Sequence, residues 1–241
     1  MLRYLYADQL DRVPHLARSM YLDRTAQFRD RLGWAVSVTP DGEERDEYDA
    51  MNPLYVIWQG ADGAHGGSMR FLPTTGRTMV NDHFGHLTNG VRIESPLIWE
   101  CTRFCLAPGA GPQVAAALML AGGEILQGFG LRHFVGVFDI RMVRIYRRIG
   151  AEPDVMGWQG EGRDQIGVGL WEHNPAAAAR VAAAAGLTAA QSRGWFDAAF
   201  GALPQTGATE AGPVNAPVLP QMISPTRQTA GRAASQMAAS A

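Results

Sequence analysis

Residues Leu97 to Gly150 read LIWECTRFCLAPGAGPQVAAALMLAGGEILQGFGLRHFVGVFDIRMVRIYRRIG. Leu97 to Leu106 is an apolar strand that carries two charges, Glu100 and Arg103. A glycine-rich turn follows, and Pro112 to Phe129 reads as a helix that opens on proline and stops at Gly130. His133 to Phe138 is a short apolar run, the pattern of a buried strand. Ile140 to Ile149 is a second helix, with Met142, Ile145, Tyr146 and Ile149 on one stripe and Gly150 as its stop. This strand–helix–strand–helix order predicts a sheet with helices packed on it.

Outward from that stretch, Leu2 to Ala7 is a strand. Leu10 to Leu32 is helical in pattern, with Pro14 near a start or break. Trp34 to Thr39 alternates and is a strand candidate; Pro40 to Glu43 is a turn. Glu44 to Asn52 is an acidic loop. Leu54 to Gln59 and Gly67 to Leu72 make a hairpin about Ala61-Asp62-Gly63. Thr78 to Leu87 is a short helix, and Gln165 to Trp171 closes the sheet. The expected class is α/β (α+β), a mixed central sheet flanked by helices on both faces. That domain occupies residues 1–173. Residues 174–203 are an alanine-rich helical extension, in which Thr188 and Gln191 have capping-box spacing ahead of a last helix through Phe200. Residues 204–241 are rich in Pro, Gly, Ser, Thr, Gln and Ala, and are expected to be a disordered tail.

Composition narrows the function. The 241 residues are 46% hydrophobic and 18% charged, as in a globular protein. No apolar run is long enough for a membrane span, and the N-terminus lacks the apolar core of a signal peptide, so the cytoplasm is expected. A formal net charge of −2 argues against a general nucleic-acid binder. All 21 Lys+Arg residues are arginine, which excludes a lysine Schiff base and a P-loop lysine. Cys101 and Cys105 on one strand are about 13 Å apart, too far for a disulfide. Neither His83-Phe-Gly-His86 nor the cysteine pair has structural-zinc spacing, so no metal is expected.

Four clusters carry chemistry. Arg24 and Phe28 share a helix face, with Trp34 soon after. Five of the seven residues from Glu43 to Asp49 are acidic, either a solvated loop or a carboxylate set for a cationic substrate. Arg70 leaves a strand into a Pro-Thr turn, where it can bind a carboxylate bidentately. Glu100 and Arg103 in an apolar strand must be paired or functional. Three apart, they point to opposite faces unless the strand bulges.

In this order and spacing the set resembles the LuxI-type autoinducer synthases: Arg24, Phe28 and Trp34; Asp46 and Asp49; Arg70; Phe84; Glu100 and Arg103. The segments RDRLGWAV, DEYD, GGSMRFLPTTG, NDHF and WECTRF fit as well, and the likeness covers residues 1 to about 172. The resemblance implies a fold similar to the GNAT acetyltransferases, although their glycine-rich pyrophosphate signature has no clear copy here. It implies synthesis of an acyl-homoserine lactone for quorum sensing. S-adenosylmethionine is then a consumed substrate, no cofactor is needed, and the acyl donor is an acyl carrier protein or acyl-CoA. Glu100 and Arg103 are the implied catalytic pair, with Glu100 as base. Arg24, Phe28, Trp34, Asp46, Asp49, Arg70, Phe84 and Arg103 are the implied S-adenosylmethionine site.

Met119, Leu120, Phe138, Met142 and Tyr146 are the expected acyl pocket. Arg141, Arg144, Arg147 and Arg148 offer a basic face to an acidic carrier protein. Relatives often carry a hydroxyl where this chain has Phe138, and associate it with a 3-oxo acyl group. Phe138 therefore points to chains without that group, and the small residues of Ala115 to Gly130 to a medium or long chain. Two rival readings stay open. One is another GNAT-like N-acyltransferase using acyl-CoA. The other is a family member that binds these ligands without catalysis.

Overall fold

The computed structural model describes residues 1–162 and 165–202. The expected tail, 204–241, lies outside the described residues. Chain order gives β1 (Leu2–Tyr6), α1 (Pro14–Arg24), β2 (Leu54–Gln59), β3 (His65–Pro73), α2 (Met79–His83) and β4 (Ile98–Leu106). These are followed by α3 (Pro112–Gly128), β5 (His133–Asp139), α4 (Met142–Ile149), β6 (Asp154–Gln159), β7 (Ile166–Glu172), α5 (Pro175–Ala185) and α6 (Ala189–Phe200).

One seven-stranded sheet runs β1-β2-β3-β4-β5-β7-β6. Strands β1 to β4 are antiparallel neighbours, β4 and β5 are parallel, and β7 pairs antiparallel with both β5 and β6. A parallel pair needs a crossover, and α3 supplies it. Strand β2 shows why the sheet is covered on both faces. Leu54 and Val56 join a core with Val114, Leu118 and Ile125 of α3 and Phe196 of α6. The alternate residues Tyr55 and Ile57 pack on Leu16, Met20 and Tyr21 of α1. Val80 and Leu87 cover Val135 and Val168. Among the described residues, no helix is long and apolar enough to cross a membrane.

Local chemistry explains the boundaries. Pro14 and Pro112 occupy first-turn positions that need no amide hydrogen. Gly150 ends α4 at φ +97°, a left-handed cap. Thr188 and Gln191 form the expected capping box on α6.

Three expectations change. The run Trp34 to Thr39 is not a strand: Val38 makes a single bridge to Glu44, and Trp34 instead stacks on Phe28. Strand β7 does not close the sheet, because β6 pairs beyond it at the edge. That edge strand is bulged between Val155 and Gly157 and largely exposed, so it lacks the apolar alternation of a covered strand. The acidic loop is not wholly irregular, since Glu47–Met51 form a 3₁₀ turn capped by the Asp46 carboxylate.

Candidate active site

The acidic loop folds inward onto three arginines. Arg24 at the end of α1 bonds Glu44 through Nε at 2.5 Å and Asp49 through both terminal nitrogens at 3.0 Å. Arg70 on β3 bonds Asp46 at 2.5 and 2.9 Å, Asp49 at 2.7 Å and the Thr102 hydroxyl at 3.1 Å. Arg103 on β4 reaches Glu44 at 2.9 Å and Asp46 at 2.8 Å. The Arg24 and Arg70 side chains are 0% exposed, so each charge must be matched in place. Three guanidinium groups meet three carboxylates, and the cluster is neutral as a unit. Burial raises the Asp49 carboxyl, but the Arg24 and Arg70 charges outweigh it and hold the group far below the usual carboxylate range. Asp46 is likewise raised by burial and lowered further by Arg70 and Arg103.

Strand β4 carries a bulge, the condition under which Glu100 and Arg103 can depart from opposite faces. Register slips between Ser68 and Arg70, so Met69 faces both Arg103 and Phe104, and Arg103 takes φ +51°. A non-glycine residue in that region is strained, and strain of this kind collects at functional sites. The bulge turns Arg103 towards Glu44 and Asp46 while Glu100 faces α2. Glu100 is 1% exposed and accepts from the amides of Met79 at 2.9 Å and Val80 at 2.5 Å. The two residues are therefore not an ion pair with each other. Burial pushes the Glu100 carboxyl up to about 7 despite those amides and Arg70.

Phe28 lies in a π-helical turn, Thr25–Arg31, that continues α1. Its ring stacks on Trp34 at 5.3 Å and 9°, and the Arg103 guanidinium sits 5.4 Å over the Phe28 ring. Gly33 at φ +68° makes the turn that brings Trp34 back.

These groups border a cavity of about 1630 Å³. Strands β4 and β5 pair only from Ile98/His133 to Glu100/Val135 and then part, and residues from both line the opening. Phe28, Trp34, Asp46, Met79, Phe84 and Arg103 line one end. Met119, Leu120, Phe138, Met142, Ile145 and Tyr146 line the other. Arg24, Asp49, Arg70 and Glu100 do not line it: the first three brace the wall from behind, and Glu100 stands behind Met79, whose amide it holds.

Sequence reasoning missed Glu44, which the ion cluster needs, and Trp171, whose ring packs edge-on against both Phe138 and Tyr146 at 5.4 Å. Glu44 lay within the acidic run and so was detectable; Trp171 carried no signal apart from its size. The α5 residues Ala177 and Val181, beyond the expected catalytic domain, also line the cavity. At the mouth, Arg141 pairs with Asp139 and Arg147 with Glu152, while Arg144 and Arg148 are exposed with no ion pair among the described residues. Both cysteines are free thiols, and burial pushes each up to about 12, so neither is a nucleophile at neutral pH. Among the described residues, no three His, Cys, Asp or Glu side chains gather to hold a metal.

Comparison with known proteins gives a consistent picture. The autoinducer synthase family model matches residues 9–171. An acyl-homoserine-lactone synthase of Rhizobium etli is 42% identical over 182 residues, covering 71% of this chain and 84% of that protein. One from Ralstonia nicotianae (strain ATCC BAA-1114 / GMI1000) is 39% identical over 139 residues, covering 54% and 68%. Among solved structures, the synthase LasI superposes with a TM-score of 0.64 at 26% identity, over 72% of this chain and 90% of that one. MesI, a CoA-dependent acyl-homoserine lactone synthase, has a TM-score of 0.69 at 22% identity, over 78% and 96%, and shares the fold.

Proposed function

The chain belongs to the autoinducer synthase family, and we infer from that premise that it is an acyl-homoserine-lactone synthase that joins S-adenosylmethionine to an acyl thioester. One observation carries the chemistry: a single cavity is charged and aromatic at one end and apolar at the other, and its ends meet where β4 and β5 part. Its volume exceeds the roughly 300–1,000 Å³ of an ordinary ligand site, as two substrates would require.

At the charged end, Asp46 and the Phe28–Trp34 stack suit the sulfonium, and Arg103 suits the substrate carboxylate. Glu100, which does not itself line the cavity, takes a proton from the substrate ammonium through a bridging water. The neutral amine attacks the thioester carbonyl; the thiolate leaves and takes up a proton. The substrate carboxylate then attacks its own γ-carbon. The carbon–sulfur bond breaks, its electron pair stays on sulfur, and neutral methylthioadenosine departs with the lactone formed. Confinement favours this second step by holding the carboxylate near the γ-carbon. In this scheme Arg24, Arg70 and Asp49 hold the loop that carries Asp46. The enzyme acts in the cytoplasm and needs no cofactor.

The test is release of methylthioadenosine from S-adenosylmethionine together with an acyl thioester, with the lactone identified by mass spectrometry. The full chain and a version ending at Leu203 are both expected to be active, because residues 204–241 have a composition unable to build a core. A soluble but inactive truncation would place the tail in the catalytic unit.

We read Arg144 and Arg148 as the docking face for an acidic carrier protein, since both project free charge beside the cavity mouth. Reversing both to Glu should raise the apparent KM for acylated carrier protein at least several-fold, and most at low salt. The KM for S-adenosylmethionine should stay level. An unchanged carrier KM would favour acyl-CoA as donor, in keeping with the CoA dependence of MesI.

A further inference from the structure

Among the apolar residues at the far end of the cavity stands a tyrosine hydroxyl that the proposed chemistry does not use. Tyr146 is 5% exposed and lies in an aromatic cluster, 5.8 Å from the Phe138 ring and 5.4 Å from that of Trp171. Its hydroxyl has no hydrogen-bond partner among the described residues. The hydroxyls of Tyr21, Tyr48 and Tyr55 are all bonded. The Tyr4 hydroxyl also lacks a partner, but it is sealed among protein atoms, whereas Tyr146 lines the cavity.

Several neighbouring polar groups at this end are already engaged, and Arg180 and Glu172 are exposed to solvent. Trp171 Nε1 donates to the Ala151 carbonyl at 2.9 Å, His173 bonds Gln127, Asn174 caps α5, and Asp139 holds Arg141. A hydroxyl in apolar surroundings without a partner costs free energy that a bound ligand can recover. The ligand group that answers it is an acceptor oxygen.

We propose that the Tyr146 hydroxyl donates a hydrogen bond to an oxygen on the third carbon of the acyl chain, and so selects 3-oxygenated acyl thioesters over unsubstituted ones. This rests on the synthase reading given above. One further property separates this role from proton transfer. Burial holds the phenol well above the usual tyrosine range, so it stays protonated and is a poor proton source for a leaving thiolate. In acyl thioesters built by stepwise elongation, the third carbon is the one that carries oxygen, as ketone or alcohol. Residue 138 taken alone pointed to chains without that oxygen. The structure places a free donor from α4 against the same phenylalanine.

The experiment compares the wild type with Tyr146→Phe, which keeps the ring and its packing. Methylthioadenosine release is measured with 3-oxo, 3-hydroxy and unsubstituted acyl thioesters of equal length. The expected result is a wild type that prefers the oxygenated donors. In the variant the kcat/KM ratio of oxygenated to unsubstituted donor falls by about 5- to 150-fold, the effect of leaving one buried acceptor unpaired. A purely structural tyrosine would lower all donors together and leave the ratio unchanged, which overturns the proposal. So does a wild type that prefers unsubstituted chains. Absence of methylthioadenosine release by the wild type with every donor would instead overturn the synthase reading, and the tyrosine's role would fall with it.

Discussion

Glu100→Gln should lower kcat/KM for methylthioadenosine release by about a hundred- to ten-thousandfold, the usual contribution of a positioned general base. The substitution preserves size and removes the ionisable oxygen. Glu100 now accepts from two amides, at 2.9 and 2.5 Å, and a glutamine would turn its NH2 towards one of them. A stability cost of about 1–3 kcal/mol is therefore expected alongside the catalytic loss. Circular dichroism and a melting curve separate the two, since assays well below the melting point leave the variant folded.

The pH profile gives a second measurement. With Glu100 at about 7, wild-type kcat/KM should rise through neutral pH to a plateau, and the variant should lose that rise. Stability moves the opposite way. Burial raises this carboxyl above its reference of 4.5, so its contribution is complete below about pH 4.5 and lost as pH rises through about 7. Wild type should become less stable over that window, and Glu100→Gln should lose this component. A folded variant with near-normal turnover would remove Glu100 from the mechanism and leave it as the cap of α2.

The second large effect is on folding. Arg70→Ala removes the guanidinium shared by Asp46 and Asp49 and leaves the two arginines Arg24 and Arg103 facing the three carboxylates Glu44, Asp46 and Asp49. Breaking a buried ion cluster in this way costs about 3–5 kcal/mol. At roughly 2–4 °C per kcal/mol for a chain of this size, the melting temperature should fall by about 6–20 °C. The Asp46 and Asp49 carboxyls are held below the reference of 3.8, so their contribution is present above that value and lost as pH falls through their folded values. In the variant those carboxyls lose their partner and rise. The gap between wild type and variant should therefore be full from pH 7 down to about 4 and narrow as pH falls further. Denaturant melts from pH 7 to about 3 test both statements. A shift under about 2 °C at pH 7 would mean that the cluster contributes little.

Elements were legible where chain-local rules apply. The Pro112 helix start, the Gly150 stop and the Thr188 cap depend on neighbours in sequence, and each lies where the sequence put it. The hairpin of β2 and β3 is equally local. Trp34 to Thr39 failed because alternation is only a weak strand signal without a partner; stacking on Phe28 claimed Trp34 instead. Strand β6 was missed because an exposed edge need not alternate.

The site divides in the same way. By itself the sequence determined the family, the inventory of charged and aromatic groups, and the need for a bulge if Glu100 and Arg103 were both to serve one site. Those follow from residue identity and the period of two along a strand. Only the tertiary structure decided which of those groups face the cavity. It buried Arg24, Arg70 and Asp49 as bracing, left Asp46 and Arg103 on the cavity wall, and placed Tyr146 from α4 against Phe138 from β5. The physical reason is that a buried charge is satisfied by whichever partner the fold delivers, and that partner is 20 to 59 residues away for the Arg24–Glu44 and Arg103–Glu44 pairs.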